Sequence, residues 1–279
     1  MIECRAGEGV ALRFERLSAE AGVAHGVFTR LGGVSAAPYA SLNASVSTGD
    51  DAAAVSRNQA IIEATLGLPL RAARPVHGAD VVEMTPGDED WIEGYGPVRM
   101  RTTTADAMVT RARGLGLFWA FADCTPILFY DPAHQAVALA HAGWRGTAQA
   151  VARHAVAALT VLYDTRPGDL LAGIGPAIGP CCYEVSEEVR ARFRATPDAW
   201  ASARFEERMG ANGEEPGARL YLDLWESNRR QLLAAGLRPE HIELAGLCTG
   251  CRTDLFYSHR VEHGKTGRFG VAIGLVADS

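Results

Sequence analysis

The chain has 279 residues, 48% hydrophobic and 22% charged, enough apolar material for a sizeable core without disulfide or metal staples, and its length suits one domain over 1–279. Its 27 basic and 33 acidic side chains give a net charge of −6 with no block of like charge, which argues against nucleic acid and for a small-molecule partner. The opening stretch is charged within its first five residues and no uncharged apolar run reaches about 18 residues, so neither a signal peptide nor a membrane partner is expected, and the expected location is cytoplasmic.

The first clear helix follows the cluster Ser47-Thr48-Gly49-Asp50-Asp51, runs through Val55, Gln59, Ile62 and Leu66, and stops at Gly67. Short apolar runs punctuated by Gly, Pro, Asp and Asn then predict strands at Val81–Met84, Ala107–Thr110, Leu115–Ala122, Ile127–Tyr130 and Ala136–His141. A second helix starts near Gly146, with Val151, Ala155, Leu159 and Leu162 or Tyr163 on one face. Leu170–Ile174 reads as a buried strand, and Ser186 with Glu187 and Glu188 opens a further helix. Residues 198–217 read as a polar excursion, Tyr221–Ala235 as a helix ending at Gly236, and His241–Gly246 and Arg268–Val276 as closing strands. No G-x-G-x-x-G follows a strand, so a Rossmann fold is not expected. The expected class is α/β, or mixed α+β: layered mixed sheets flanked by helices.

Three short segments each place a metal-ligand residue at or just beyond a strand end: His77 in Pro75-Val76-His77-Gly78, Cys124 in Ala122-Asp123-Cys124-Thr125-Pro126, and His141 ahead of Ala142-Gly143-Trp144-Arg145-Gly146. Two imidazoles and a thiolate suit Zn²⁺ and leave a fourth position open, the mark of a catalytic site. Spacing alone does not join them. The three lie far apart, no short metal motif links them, and a packed thiol with two satisfied loop histidines fits the same residues.

The six cysteines, Cys4, Cys124, Cys181, Cys182, Cys248 and Cys251, are expected as reduced thiols. Cys248 and Cys251 form a C-x-x-C pair. A structural zinc needs two further ligands, so the pair is expected to be ordinary buried thiols or a loop-ordering feature. Cys181 and Cys182 are adjacent, and their side chains are expected to diverge. Any metal in this chain is therefore expected to be functional rather than structural.

Runs of residues along nearly the whole chain resemble the YfiH-type family, known both as laccase-domain (polyphenol oxidase) proteins and as purine nucleoside phosphorylases. They begin with His25-Gly26-Val27-Phe28-Thr29-Arg30, Gly32-Gly33-Val34-Ser35 and Pro38-Tyr39-Ala40-Ser41-Leu42-Asn43. Arg57-Asn58, Val76-His77-Gly78, Ala105-Asp106-Ala107 and Ala122 through Pro126 follow, and then the strongest match, His141 through Gly146. Gly175 through Gly179, Cys181 through Val185, Asp223-Leu224, Asp254 through Ser258 and Gly267-Arg268 complete the series. The resemblance implies that His77, Cys124 and His141 are the zinc-binding catalytic triplet. It implies phosphorolysis of adenosine, inosine and S-methyl-5′-thioadenosine to free base and (methylthio)ribose 1-phosphate, together with adenosine deaminase activity. It also implies a layered α/β fold with mixed sheets. One departure is Pro75, where the family often has Gln two residues before the first histidine.

The residue types can support that chemistry. A carboxylate to shuttle protons in deamination comes from Asp123, beside Cys124, or Glu184; Asp123 serves equally to orient a ligand histidine. A phosphate cradle comes from Gly143, Arg145 and Gly146 ahead of a predicted helix, with Arg30 and Asn43 as further candidates. Phosphorolysis acts at C1′ and deamination at C6, so the two reactions need two binding modes or an indirect role for the metal in one of them. The eight histidines, at 25, 77, 134, 141, 154, 241, 259 and 263, include no His-x-His pair, which argues against a conventional copper laccase. A single Cu²⁺ in the same site remains the polyphenol oxidase alternative. Two other readings are a peptidoglycan-editing amidase that uses this metal or Cys124 as a nucleophile, and a non-enzymatic, zinc-dependent nucleoside-binding module.

Overall fold

The computed structural model describes residues 1–6, 9–92, 96–209 and 218–277, and its architecture is the mixed α/β class expected. The long apolar runs of the middle of the chain form a six-stranded mixed sheet, ordered Ile242–Leu244, Leu171–Ile174, Thr125–Asp131, Ala136–Ala142, Ala107–Thr110 and Val81–Glu83. An eight-stranded mixed sheet is ordered Ile2–Ala6, Gly9–Arg13, Val23–Phe28, Phe269–Leu275, Leu115–Phe121, Leu70–Arg74, Arg99–Thr104 and Trp91–Ile92.

Period-two alternation explains why the central strands are buried on both faces. Leu128, Tyr130, Val137 and Leu139 join the cluster shared with the eight-stranded sheet. Their neighbours Ile127, Phe129, Ala136, Ala138 and Ala140 turn the other way and pack with Val151, Ala155, Leu159 and Leu232 of the helices Val151–Tyr163 and Leu224–Ala234. The layers are thus sheet, sheet and helices. The helix Ala52–Leu66 lies against the eight-stranded sheet, where Gly270 leaves room for Ile62 and Phe118. Asp51 caps it by accepting from the Ala54 N–H, and Gly67 ends it in the left-handed region.

Several boundaries differ from expectation. The helix expected from Gly146 is two: Trp144–Ala148, then Val151–Tyr163, with Ala150 between them at φ 58°. Tyr221 belongs to the strand Ala218–Leu222, because Asp223 caps the next helix through the Glu226 N–H. The polar excursion holds a helix, Pro197–Ser202, and a strand, Phe205–Met209, which pairs with Ala218–Leu222 in a three-stranded sheet; 210–217 lie outside the described residues. No helix among the described residues is long and apolar enough to cross a membrane.

Candidate metal centre and cavity

At one end of the sheet pair the chain crosses between sheets three times. The segment after Leu70–Arg74 leads to Val81–Glu83 and carries His77. The segment after Arg99–Thr104 leads to Ala107–Thr110 and carries Asp106, and the one after Leu115–Phe121 leads to Thr125–Asp131 and carries Cys124. His141, near the end of Ala136–Ala142, sits opposite Pro126 in the register. The donor atoms of His77, Cys124 and His141 lie within 4.8 Å of one another. Two crossovers therefore bring in His77 and Cys124, and the antiparallel pairing of Ala136–Ala142 with Thr125–Asp131 sets His141 beside them.

Backbone geometry tightens the cluster. His77 sits at φ 60° and Asp123 at φ 83°, both in the left-handed region that non-glycine residues seldom adopt. Gly143 is required for a different reason, because a Cβ there would lie 2.7 Å from the Cys124 Sγ and 3.4 Å from the His77 Nδ1.

Asp106 organises the histidines. Its carboxylate accepts from the backbone N–H groups of Val76, His77 and Gly78 at 3.0, 2.9 and 2.7 Å. Its Oδ1 also lies 2.8 Å from the His141 Nδ1, so the His141 Nε2 is left for the cluster. Asp106 is fully buried. Burial favours its neutral form, but the His141 hydrogen bond and charge and the backbone donors prevail and hold its pKa below the usual carboxylate range. Burial likewise pushes the Cys124 thiol up, yet His141 and His77 outweigh it and bring it down to about 6. Burial opposes the charged form of His141, and Cys124 and Asp106 overcome it and raise that pKa. Both shifts favour the thiolate form of Cys124, the form in which a cysteine binds metal.

The triplet opens into a cavity of about 450 Å³. Phe118, Trp119, Phe121, Val98 and Met100 supply its apolar wall, while Gln59, Arg74, Ser45, Ser47, His259 and Arg268 bring polar groups to it. The Trp119 and Phe121 rings lie 6.1 and 5.4 Å from the His141 ring, and the Trp119 indole N–H donates to the Ala73 carbonyl at 2.7 Å. Gln59 is buried, with its amide nitrogen on the Ala44 carbonyl and its Oε1 unpartnered. Burial lowers the Arg268 pKa, and its guanidinium reaches the His259 Nδ1 at 3.2 Å. Pro75 lines the cavity beside Arg74.

The remaining expected site residues are placed elsewhere. Asp123 is beside the cluster, but its two oxygens accept from the Thr249 hydroxyl and the Arg260 backbone N–H, both at 2.7 Å. Orienting a ligand histidine therefore falls to Asp106, which the sequence offered only inside a matching run. Glu184 faces a second hollow lined by Trp144, Tyr183 and Arg260, and its carboxylate is 3.6 Å from Arg219. The Arg145 guanidinium stacks 4.3 Å from the Trp144 ring and does not line the cavity. Gly146 is buried, and a Cβ there would lie 3.0 Å from the Gly78 carbonyl oxygen.

Arg30 spends its donors on the Ala40 and Thr253 carbonyls and on Glu262. Asn43 is fully buried and binds Ser45, Thr48, Asp50 and the Arg268 N–H. Both brace loops. Arg268, Gln59 and His259 were not read as site residues, and among these only the Gly267-Arg268 match hinted at one. The structure also corrects the cysteines: Cys181, Cys182, Cys248 and Cys251 do not diverge but form a second cluster, with sulfurs within 4.8 Å of one another. A turn over 180–182 lets the two adjacent side chains face one point.

The family model described as multi-copper polyphenol oxidoreductase laccase matches residues 24–276. The purine nucleoside phosphorylase YlmD of Geobacillus stearothermophilus is 40% identical over 259 residues, 91% of this chain and 90% of that one. The purine nucleoside phosphorylase YfiH of Escherichia coli is 35% identical over 257 residues, 91% of this chain and 95% of that one. The crystal structure of the Geobacillus stearothermophilus YlmD superposes with a TM-score of 0.82 at 35% identity, covering 98% of each chain. That of the Bacillus licheniformis hypothetical protein YfiH also gives 0.82, at 32% identity and 97% of each chain.

Proposed function

The chain belongs to the YfiH/YlmD family of laccase-like proteins, and from that premise we propose that it is a zinc-dependent purine nucleoside phosphorylase. The observation that carries this reading is the convergence of His77, Cys124 and His141 at a cavity of about 450 Å³, a volume suited to a small organic ligand. The substrates are adenosine, inosine and S-methyl-5′-thioadenosine, taken with phosphate, and adenosine is also deaminated. The two imidazoles, one thiolate and the carboxylate behind His141 fit a catalytic zinc, with Cu²⁺ the less suited occupant. Held by His77, Cys124 and His141, the metal would supply Lewis acidity.

The protein's own groups do the rest. The flat aromatic wall takes the purine ring and keeps water from it. Arg268, desolvated yet cationic, takes the phosphate, with Arg74 as a second cation at the wall. His259, within reach of Arg268, is placed to hold a proton near the sugar or phosphate.

Protein incubated with adenosine, with and without phosphate, and analysed by chromatography tests the reading. Phosphate-dependent adenine should appear, and Cys124→Ala should lose zinc and at least about 10³-fold in rate, the several kcal/mol of metal assistance. No product from zinc-replete protein would overturn the assignment.

A second reading rests on one specific alignment. Asp106, His141 and Cys124 are ordered as orienting acid, base and thiol, the arrangement of a thiol hydrolase acting on an amide. Alkylation separates the two: a metal-bound Cys124 is protected in the replete protein, and a nucleophilic one reacts at once.

A further inference from the structure

Cys181, Cys182, Cys248 and Cys251 lie outside the cavity, and their four sulfurs are mutually within 4.8 Å. The Cys251 sulfur is 3.5 Å from those of both Cys181 and Cys182. A disulfide would need about 2.05 Å. Four sulfurs around one tetrahedral zinc, with Zn–S near 2.3 Å, stand about 3.8 Å apart. The spacing is therefore that of ligands sharing a single ion.

The surrounding backbone has the form of a ligand cradle. The Cys248 sulfur accepts from the Gly179 N–H at 3.2 Å and from the Cys251 N–H, so a thiolate there is supported by two amides. Gly250, inside Cys248-Thr249-Gly250-Cys251, is the residue that fits: a Cβ would sit 3.1 Å from the Cys182 Cβ and 3.2 Å from its sulfur. The two loops are joined by backbone hydrogen bonds as well, Thr249 N–H to the Ala177 carbonyl at 3.0 Å.

From this geometry we infer a second, structural zinc site in which Cys181, Cys182, Cys248 and Cys251 hold one Zn²⁺ as a closed tetrathiolate. Binding releases the thiol protons to solvent and leaves no coordination position for substrate. The ion staples the loop that follows Leu171–Ile174 to the loop that follows Ile242–Leu244. Those same loops hold Asp123: the Ile178 N–H donates to its carbonyl at 3.0 Å and the Thr249 hydroxyl to its carboxylate at 2.7 Å. The staple thus fixes the residue beside Cys124 without touching the cavity.

The test is metal content, measured by mass spectrometry on protein purified under reducing conditions. Wild type should hold two zinc ions per chain, Cys124→Ala one, the double variant Cys181→Ser with Cys251→Ser one, and the triple variant none. Because the serine variants can fail to fold, Cys124→Ala, which keeps all four cysteines, is also titrated with a thiol-blocking reagent. Of the five thiols of this variant, one zinc should leave with the modification of four, Cys4 reacting independently of it, and cobalt substitution of the same protein should give the intense thiolate-to-cobalt bands of a four-thiolate site. Metal-free Cys124→Ala would overturn the proposal, as would a mass lower by two or four protons, which reports disulfides. Either result leaves the catalytic reading standing, since that depends on Cys124 and on product formation.

Discussion

Two clusters of metal-ligand type, neighbours through Asp123, are built from different kinds of element. His77 and Cys124 stand where the chain passes from one sheet to the other, and His141 on the paired strand beside Cys124, at the wall of a cavity. Cys181, Cys182, Cys248 and Cys251 stand on two loops outside that cavity's lining, with Cys181 and Cys251 exposed. The first has three donors and a buried carboxylate behind one of them; the second has four donors and backbone amides behind one sulfur. Three donors on a rigid frame leave a position for a reacting atom, whereas four donors on loops use every position to hold the loops together. What separates a site for chemistry from a site for stability is thus the donor count and the rigidity of the elements that carry the donors.

Acid would cut across the comparison most, because it should destabilise the chain for a reason that belongs to neither cluster. His25 is buried, and burial, aided by Arg13, lowers its pKa to about 4 while its Nε2 accepts from the Phe14 N–H. The unfolded chain then binds a proton that the folded chain refuses between pH 6.5 and about 4. The His25 contribution is constant above pH 6.5, falls through that window by roughly 3 kcal/mol, and is constant below it. Denaturant midpoints of chelated protein from pH 8 to pH 4 check this; a flat profile would remove His25 as the cause.

The comparison is sharpened by Asp106→Asn. The triplet should lose about 10- to 100-fold in metal affinity, as expected when the partner of a ligand histidine is removed, and the four-cysteine ion should stay. Competition against a chromogenic chelator reads both in one titration. Equal weakening of the two would show that the clusters are coupled through Asp123 rather than independent.

The smallest effect concerns the cavity itself. Arg268→Gln should raise the KM for phosphate about tenfold, the scale of one hydrogen bond to a charged group, and leave both ions in place. A change in the nucleoside KM alone would move Arg268 from the phosphate to the base.

Local chemistry made parts of this molecule readable in advance. The 52–66 helix is bounded by a capping Asp51 and a left-handed Gly67, and the strands at 107–110 and 115–121 are apolar runs closed by turn residues. The strands before residue 80 were not read, because Arg-rich segments such as Leu70–Arg74 carry weak alternation and draw their order from pairing with Leu115–Phe121. Residues whose type is itself a signal, His77, Cys124 and His141, could be named as ligands from the sequence and its resemblance to the family. Their meeting within 4.8 Å was decided by two sheet-to-sheet crossovers and one antiparallel strand pairing, a property of topology that no spacing along the chain encodes. The same holds for Asp106, whose importance comes from three backbone donors and one imidazole, and for Arg268, which reaches the cavity from the last strand's approach. Arg30 and Asn43 show the reverse: a charge or an amide on a Gly- and Ser-rich loop looks like a ligand site until the tertiary structure supplies the carbonyls and side chains that consume its hydrogen bonds. Residue chemistry sets what a group can do, and only the folded chain decides what it has left to do it with.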